Sequence, residues 1–421
     1  MNSEHIKKQD SEVYAALIGE EKRQSEGLEL IPSENYVSQA VLEANGSVFT
    51  NKYSEGYPGR RYYGGQEYTD AVEQLAIDRA CQLFNCKFAN VQPLSGAPAN
   101  MAVYVALLEP GDTVLGMDLS HGGHLTHGHP MTFPAKVFNF VTYKMKNADT
   151  GEIDYEALRE VALREKPKII LAGFSAYSRE LDYKKFVDIA REVGAITVAD
   201  MAHIAGLIAG KALRNPFDDG FDIITTTTHK TLRGPRGGMI LVREDEELIK
   251  KINKAVFPGL QGGPHMNHIA GKAIAFGEAL SPKFADYAQQ VLKNAKAMEE
   301  VFLNHDVRLI GGGTSNHLLL ADVYGSLGIT GKEAQTVLDE VGMTLNMNSI
   351  ADDPRKPLDP SGIRFGTPAI TTRGFREEQC KRVAELMIAV LKDKDNDELK
   401  ESVRNEIKQL ASKFPIPESF V

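Results

Sequence analysis

Short, nearly continuous apolar runs alternate along this chain with segments of helical periodicity, and clusters of turn residues separate them. The first stretch, to about Gln24, reads as one polar amphipathic helix. A Gly- and Tyr-rich region follows, Asn51 to Gln66, crowded with Tyr53, Tyr57, Tyr62, Tyr63 and Arg60-Arg61. That composition predicts a surface loop, or an arm pressed against another body. From Asp70 the pattern changes. A helix is predicted over Ala99 to Leu108, stopped by Glu109-Pro110-Gly111-Asp112, and the strand Thr113 to Gly116 comes next. Ile169 to Ala172, Ala195 to Ala199 and Asp222 to Thr225 are further apolar runs, with a helix over Tyr183 to Val193 between two of them. Strands without a polar face suit a parallel sheet buried under helices on both sides. The alternation therefore predicts an α/β fold with a mainly parallel sheet. It weakens near Ser281-Pro282, where a helix over Phe284 to His305 leads to a different mixture that includes a helix over Glu377 to Leu391. Three parts are expected: an N-terminal helix and arm over 1–66, a large α/β domain over 67–280, and a smaller α+β domain over 281–421.

The bulk numbers narrow the function classes. With 421 residues, 42% hydrophobic and 25% charged, the chain has ordinary globular composition. Its net charge of −9 argues against a broad nucleic-acid surface, which needs clustered Lys and Arg. Cys81, Cys86 and Cys380 have no zinc-type spacing and read as reduced thiols of a cytoplasmic protein. The N-terminal segment is charged throughout and lacks the apolar stretch of a signal peptide. No apolar run approaches the roughly 20 residues that cross a bilayer.

In an open parallel sheet, ligands bind beyond the carboxyl ends of the strands. Three predicted strands deliver polar residues there: Ser175 after the first, Asp200 and His203 after the second, and Thr225 to Lys230 after the third. A lysine can form an imine with a carbonyl cofactor, and a carboxylate can keep a pyridine nitrogen protonated so that the ring accepts electrons. Lys230 and Asp200 are the candidates for a site holding pyridoxal phosphate. Singly, each has a plain alternative, a solvated lysine and a helix cap; four threonines ahead of His229-Lys230 argue against the first. Leu94-Ser95-Gly96-Ala97-Pro98 enters a helix and offers backbone amides to a phosphate, or simply caps that helix. Arg233-Gly234-Pro235-Arg236-Gly237-Gly238 reads as a tight turn after the lysine. The histidines of His121-Gly122-Gly123-His124-Leu125-Thr126-His127-Gly128-His129 lack a carboxylate or cysteine at ligand spacing. An imidazole stacked on a flat ring uses them better, and no metal is expected. Arg364, between glycines, suits a bidentate grip on a carboxylate, with a surface ion pair as the alternative. Glu55 is a lone carboxylate among aromatics, fit for proton transfer or simply solvated.

Taken together these segments closely resemble the serine hydroxymethyltransferase family. The resemblance runs nearly end to end through Glu29 to Asn35, Tyr53 to Tyr63, His121 to Gly128, Asp200-Met201-Ala202-His203, Thr225 to Thr231 with Gly234 to Gly238, and Phe257 to Pro264. It implies a fold-type I pyridoxal-phosphate transferase that interconverts serine and glycine with tetrahydrofolate, working as a homodimer or tetramer with shared active sites. By matched position, Lys230 forms the Schiff base, Asp200 partners the pyridine nitrogen and His124 stacks on the ring. Ser175 and His203 lie by its phenolic oxygen. Ser95, Gly96 and Ala97 form the phosphate cup, and Gly263 reaches in from the neighbouring subunit with Tyr53 and Tyr63. Ser33 and Arg364 hold the substrate, Glu55 transfers a proton, and Leu119, Gly123 and Asn348 match the folate pocket. Leu94, Ala97 and Pro98 depart from the His, Ser and Gln usual in bacterial members; Met347 and Ala351-Asp352 replace a usual Lys and Pro-Asn. Ala97 removes a hydroxyl donor, so weaker cofactor binding is expected. The alternatives are a folate-independent pyridoxal-phosphate aldolase or hydroxymethyltransferase acting on other β-hydroxy or α-methyl amino acids, and a cofactor-free RNA-binding regulator, which the acidic charge disfavours.

Overall fold

A computed structural model describes residues 3–419. Its centre is a seven-stranded sheet built from β1 (Phe88–Asn90), β2 (Thr113–Met117), β3 (Asn139–Tyr143), β4 (Ile169–Gly173), β5 (Ile196–Asp200), β6 (Ile223–Thr227) and β7 (Gly238–Val242). The spatial order is β1-β7-β6-β5-β4-β2-β3. Only β7 runs against its neighbours; β6, β5, β4, β2 and β3 pair in parallel. Period-2 geometry explains why the central strands carry apolar residues on both faces. Ile169, Leu171, Val198 and Ile223 face a core under the helix Gly96–Leu107. Ile170, Ala172, Ala199 and Ile224 face the opposite core, where α1 (Glu67–Phe84), α2 (Tyr183–Val193), α3 (Met266–Ala279) and α4 (Pro282–Asn304) pack.

The C-terminal part carries its own antiparallel sheet of β8 (Leu318–Asp322), β9 (Asn346–Asn348) and β10 (Gly362–Gly366), with β10 in the middle. Helices Glu377–Lys392 and Asp397–Lys413 close a third apolar core over it. The N-terminal chain joins this core: Leu28–Glu29 pairs in parallel with Met343–Thr344, and Leu28 and Leu30 are buried there.

Local differences from expectation have simple causes. The N-terminal segment is two helices, Glu4–Gln9 and Ser11–Glu26, because the Asp10 side chain accepts from Glu12 N and Val13 N and starts the second afresh. The helix expected from Ala99 begins at Gly96, with extended Ser95 at its N-cap. The arm contains the small hairpin Gly56–Tyr57/Arg60–Arg61. Arg61 is almost fully buried between Asp70 and Glu73. No described helix is long and apolar enough to cross a membrane.

Candidate active site

The parallel register brings three strand ends level. Gly173 of β4 lies opposite Asp200 of β5, and Asp200 lies opposite Thr225 of β6. The approach at Gly173 is close: a Cβ there would sit 2.4 Å from the Asp200 carbonyl oxygen. Ser175, Asp200, His203 and the Thr225 to Lys230 run therefore leave one edge of one sheet.

Asp200 is buried at the base of this edge. Its Oδ2 accepts from Asn100 Nδ2 at 2.8 Å and from His127 Nε2 at 3.1 Å, while Oδ1 accepts from Ala202 N at 3.1 Å. His127 Nδ1 itself accepts from His124 N, so in the neutral ring the proton sits on Nε2 and points at Asp200. Burial alone would raise the carboxyl pKa. The bond and charge of His127, the charge of His124 and the Asn100 donor outweigh burial and hold it below the ordinary carboxylate range.

Lys230 emerges above this anion. All four preceding threonines are buried and hydrogen-bonded. Thr225 donates to Asn100 Oδ1, Thr226 to the Thr227 carbonyl, Thr227 to the Ala202 carbonyl and Thr228 to the Pro235 carbonyl. The threonine run thus anchors the lysine rather than solvating it. Lys230 Nζ makes no hydrogen bond or ion pair among the described residues. Burial lowers its pKa to about 8; Asp200 opposes the shift, and Arg364 and Arg236 add to it. His124 is lowered to about 4 by burial and is neutral at physiological pH; its Nδ1 accepts from Thr126 N at 3.2 Å. His203 is buried, pushed well below its ordinary value by desolvation, and stacked on His317 at 5.4 Å between centroids. The Ser175 hydroxyl is buried without a hydrogen-bond partner among the described residues.

Arg364 comes from the central strand of the smaller sheet. Its Nη1 donates to the Ser175 carbonyl at 2.6 Å and its Nε to Asn346 Oδ1 at 3.1 Å, so the two sheets meet at the site. Burial lowers its pKa to about 10. Ser33 follows Pro32, which packs on Gly366 at the end of the same strand. Asn348 lies two residues from Asn346 on β9, hence on the same face as the Arg364 partner. Leu119 and Gly123 belong to a loop clamped at Gly122, whose carbonyl accepts from Ser175 N and Ala176 N. Gly96 leans on Thr227, while Leu94 and Ala97 are exposed at the mouth of the cup.

A second set stands apart. Tyr53 OH donates to Glu55 Oε1 at 3.0 Å, and the Tyr53 and Tyr63 rings meet edge to face at 5.3 Å. A Cβ on Gly263 would lie 3.3 Å from the Tyr53 ring. No hydrogen bond, ion pair or ring contact among the described residues links these four to Lys230 or Asp200. Tyr53, Tyr62, Tyr63, Tyr68 and Leu94 are all substantially exposed.

Asn100, His127, His317 and Asn346 were not singled out by motif reasoning. His127 was visible only as part of a histidine cluster, and the others only make sense through tertiary contacts. His124, His127 and Asp200 offer ligand atoms within 4.8 Å of one another, a geometry compatible with a cation. His124 Nδ1, both ring nitrogens of His127 and both oxygens of Asp200 already serve hydrogen bonds. A buried anion under a partnerless lysine, with an arginine fork above, suits chemistry on an amino acid. The family model described as serine hydroxymethyltransferase matches residues 6–387, and the chain belongs to that family, whose members are pyridoxal-phosphate-dependent transferases.

Proposed function

We propose that the cleft of Lys230, Asp200, His124, His203, Ser175 and Arg364 is the catalytic site of this serine hydroxymethyltransferase, with pyridoxal phosphate as cofactor and tetrahydrofolate as co-substrate. The observation that carries the assignment is Lys230: a buried amine with no hydrogen-bond or ion-pair partner, held over an ionised carboxylate. The residues fit the cofactor. The partnerless Ser175 hydroxyl and the buried His203 suit its phenolic oxygen, Asp200 its pyridine nitrogen, the flat neutral His124 its ring face, and Ser95, Gly96 and Ala97 its phosphate. When bound, pyridoxal phosphate supplies an electron sink for the bonds at the amino acid's α carbon.

The chain's own residues do the rest. The lowered pKa of Lys230 keeps a useful fraction of neutral, nucleophilic amine near neutral pH. Asp200 stays ionised because three N–H groups point at it, so negative charge beneath the ring costs no rearrangement during reaction. Arg364, pre-aimed by Ser175 O and Asn346 Oδ1, presents its remaining Nη2 toward a substrate carboxylate, with Ser33 beside it. Leu119, Gly123 and Asn348 are assigned to folate in this reading by their match to the family's folate pocket.

Glu55, Tyr53, Tyr63 and Gly263 complete the site of a neighbouring subunit in this reading, with Glu55 moving the proton of the hydroxymethyl group. Their lack of any hydrogen bond, ion pair or ring contact to Lys230 among the described residues, and the exposed aromatic patch around them, support a homodimer. The reading keeps the division at 66/67 and 280/281 and a cytoplasmic setting; the three cysteines are free thiols. A folate-independent aldolase is not favoured by the family match. Serine cleavage by the purified, pyridoxal-phosphate-loaded protein, with and without tetrahydrofolate, tests the function. Strong folate dependence is expected, and equal rates would overturn it.

A further inference from the structure

We propose that Lys272 is a positioning residue for the cofactor's phosphate cup, a role that rests on the assignment of Ser95, Gly96 and Ala97 to the phosphate. Lys272 lies mid-way along α3 and is only 2% exposed. Its Nζ donates to three backbone carbonyls: Val91 at 2.6 Å, Gly238 at 2.8 Å and Pro93 at 3.1 Å. An ammonium has three donors, and here each finds one carbonyl.

Those carbonyls are the walls of the cup. The β1–β7 ladder ends at Asn90 opposite Ile240, so the segment from Val91 to Leu94 leaves the sheet just before Ser95. Beyond the ladder, its polar groups need other partners, most of them side chains. Gln261 does this from one side, donating to the Gln92 carbonyl at 3.1 Å and accepting from Leu94 N at 3.1 Å. Lys272 does it from beneath. Gly238 belongs to the same wall, since its N donates to the Pro93 carbonyl at 2.9 Å and a Cβ there would fall 2.3 Å from Ser95 O. A Cβ on Gly237 would fall 2.4 Å from Lys272 Cε, so the lysine stem backs this turn. Gly237 O in turn accepts from Thr228 N at 3.0 Å, two residues before Lys230. One ammonium therefore braces both the cup and the strand end that carries the reactive lysine.

Packing does not explain a charge here. No carboxylate contacts Lys272; Glu73, the nearby acid, is taken by Arg61 at 2.6 Å and Gln92 at 2.8 Å. Burial drives the Lys272 pKa down to about 7, with Glu73 opposing. An apolar side chain would fill the space without that desolvation cost, but would take the ammonium donor from all three carbonyls and leave Pro93 O with Gly238 N alone.

The test compares pyridoxal phosphate with pyridoxal, which lacks the phosphate, in spectroscopic titrations of full-length apo protein. Lys272→Met is expected to weaken pyridoxal phosphate binding at least about tenfold while pyridoxal binding moves less than about twofold. Lys272→Gln, which keeps fewer donors, should fall between, and is read the same way if the methionine variant does not fold. Equal weakening of both ligands would mean general structural damage and overturn the proposal, as would wild-type affinities. Gly96→Ala, with its methyl 2.9 Å from Thr227 Cγ2, tests the cup itself. If it leaves the phosphate preference untouched, the cup assignment fails; if it abolishes that preference while both Lys272 variants titrate like wild type, only the Lys272 proposal fails.

Discussion

Replacing Asp200 by asparagine separates charge from shape at the centre of the site. Asparagine can keep a carbonyl oxygen toward Asn100 Nδ2 and His127 Nε2, which lie 2.8 and 3.1 Å from Asp200 Oδ2. Its amide then faces Ala202 N, now 3.1 Å from Oδ1, so donor meets donor and neither finds an acceptor there. That mismatch costs about 1–3 kcal/mol of stability, so the variant should fold. Catalysis should suffer more. The anion that faces the cofactor ring is gone, and removal of a pre-organised electrostatic partner typically lowers kcat about 100- to 1,000-fold. Lys230 also loses the charge that opposes its desolvation, so its pKa should fall below the present value of about 8. The assay is kcat for serine cleavage, with cofactor occupancy measured by absorbance so that equally loaded proteins are compared. A fully loaded Asp200→Asn protein with wild-type kcat would refute the electrostatic role.

Arg364→Lys keeps a charge but loses the planar fork, so KM for serine should rise roughly 10- to 150-fold, matching about 1.5–3 kcal/mol for hydrogen bonds to a charged group; an unchanged KM would contradict the carboxylate grip. Because Lys230 reacts as the neutral amine and its pKa is lowered from 10.5 to about 8, the rate at which apo protein captures pyridoxal phosphate should rise with pH through an inflection near 8. A rate flat between pH 6.5 and about 9 would contradict that ordering. Lys230→Ala and Glu55→Gln proteins should each be inactive, yet mixing and reassorting them should restore about a quarter of wild-type activity, since half the dimers then hold one intact shared site. No recovery despite subunit exchange would place Glu55 in its own chain's site. Asn100→Ala removes donors to Asp200 and Thr126 and should lower both stability and kcat, with KM for serine little changed.

The sheet core was largely legible because burial on both faces writes itself as nearly continuous apolar runs: Ile169 to Ala172, Ala195 to Ala199 and Asp222 to Thr225 fall in strands. Three-residue β1 is too short to carry a period. Antiparallel β7 is as apolar as its parallel neighbours, and composition holds no sign of direction. At the site, Asp200 stood out because it ends a strand and Lys230 because it follows one closely. Their supporters did not. Asn100 meets Asp200 across 100 residues of sequence, His127 across 73, and Lys272 meets Val91 across 181, so no local pattern announces them. The Ser95 cup was legible as a helix start, but the structure adds that Ser95's hydroxyl makes no capping bond, which leaves it available to a ligand. That Glu55, Tyr53, Tyr63 and Gly263 make no hydrogen bond, ion pair or ring contact with Lys230 among the described residues is likewise a tertiary fact.

The account rests most heavily on Lys230, and one measurement tests it directly. The protein is loaded with pyridoxal phosphate, reduced with borohydride to fix the lysine–cofactor linkage, digested and mapped by mass spectrometry. A single labelled peptide carrying the cofactor on Lys230 is the predicted result. Label on another lysine, Lys272 included, or no label on a saturated protein, would contradict it.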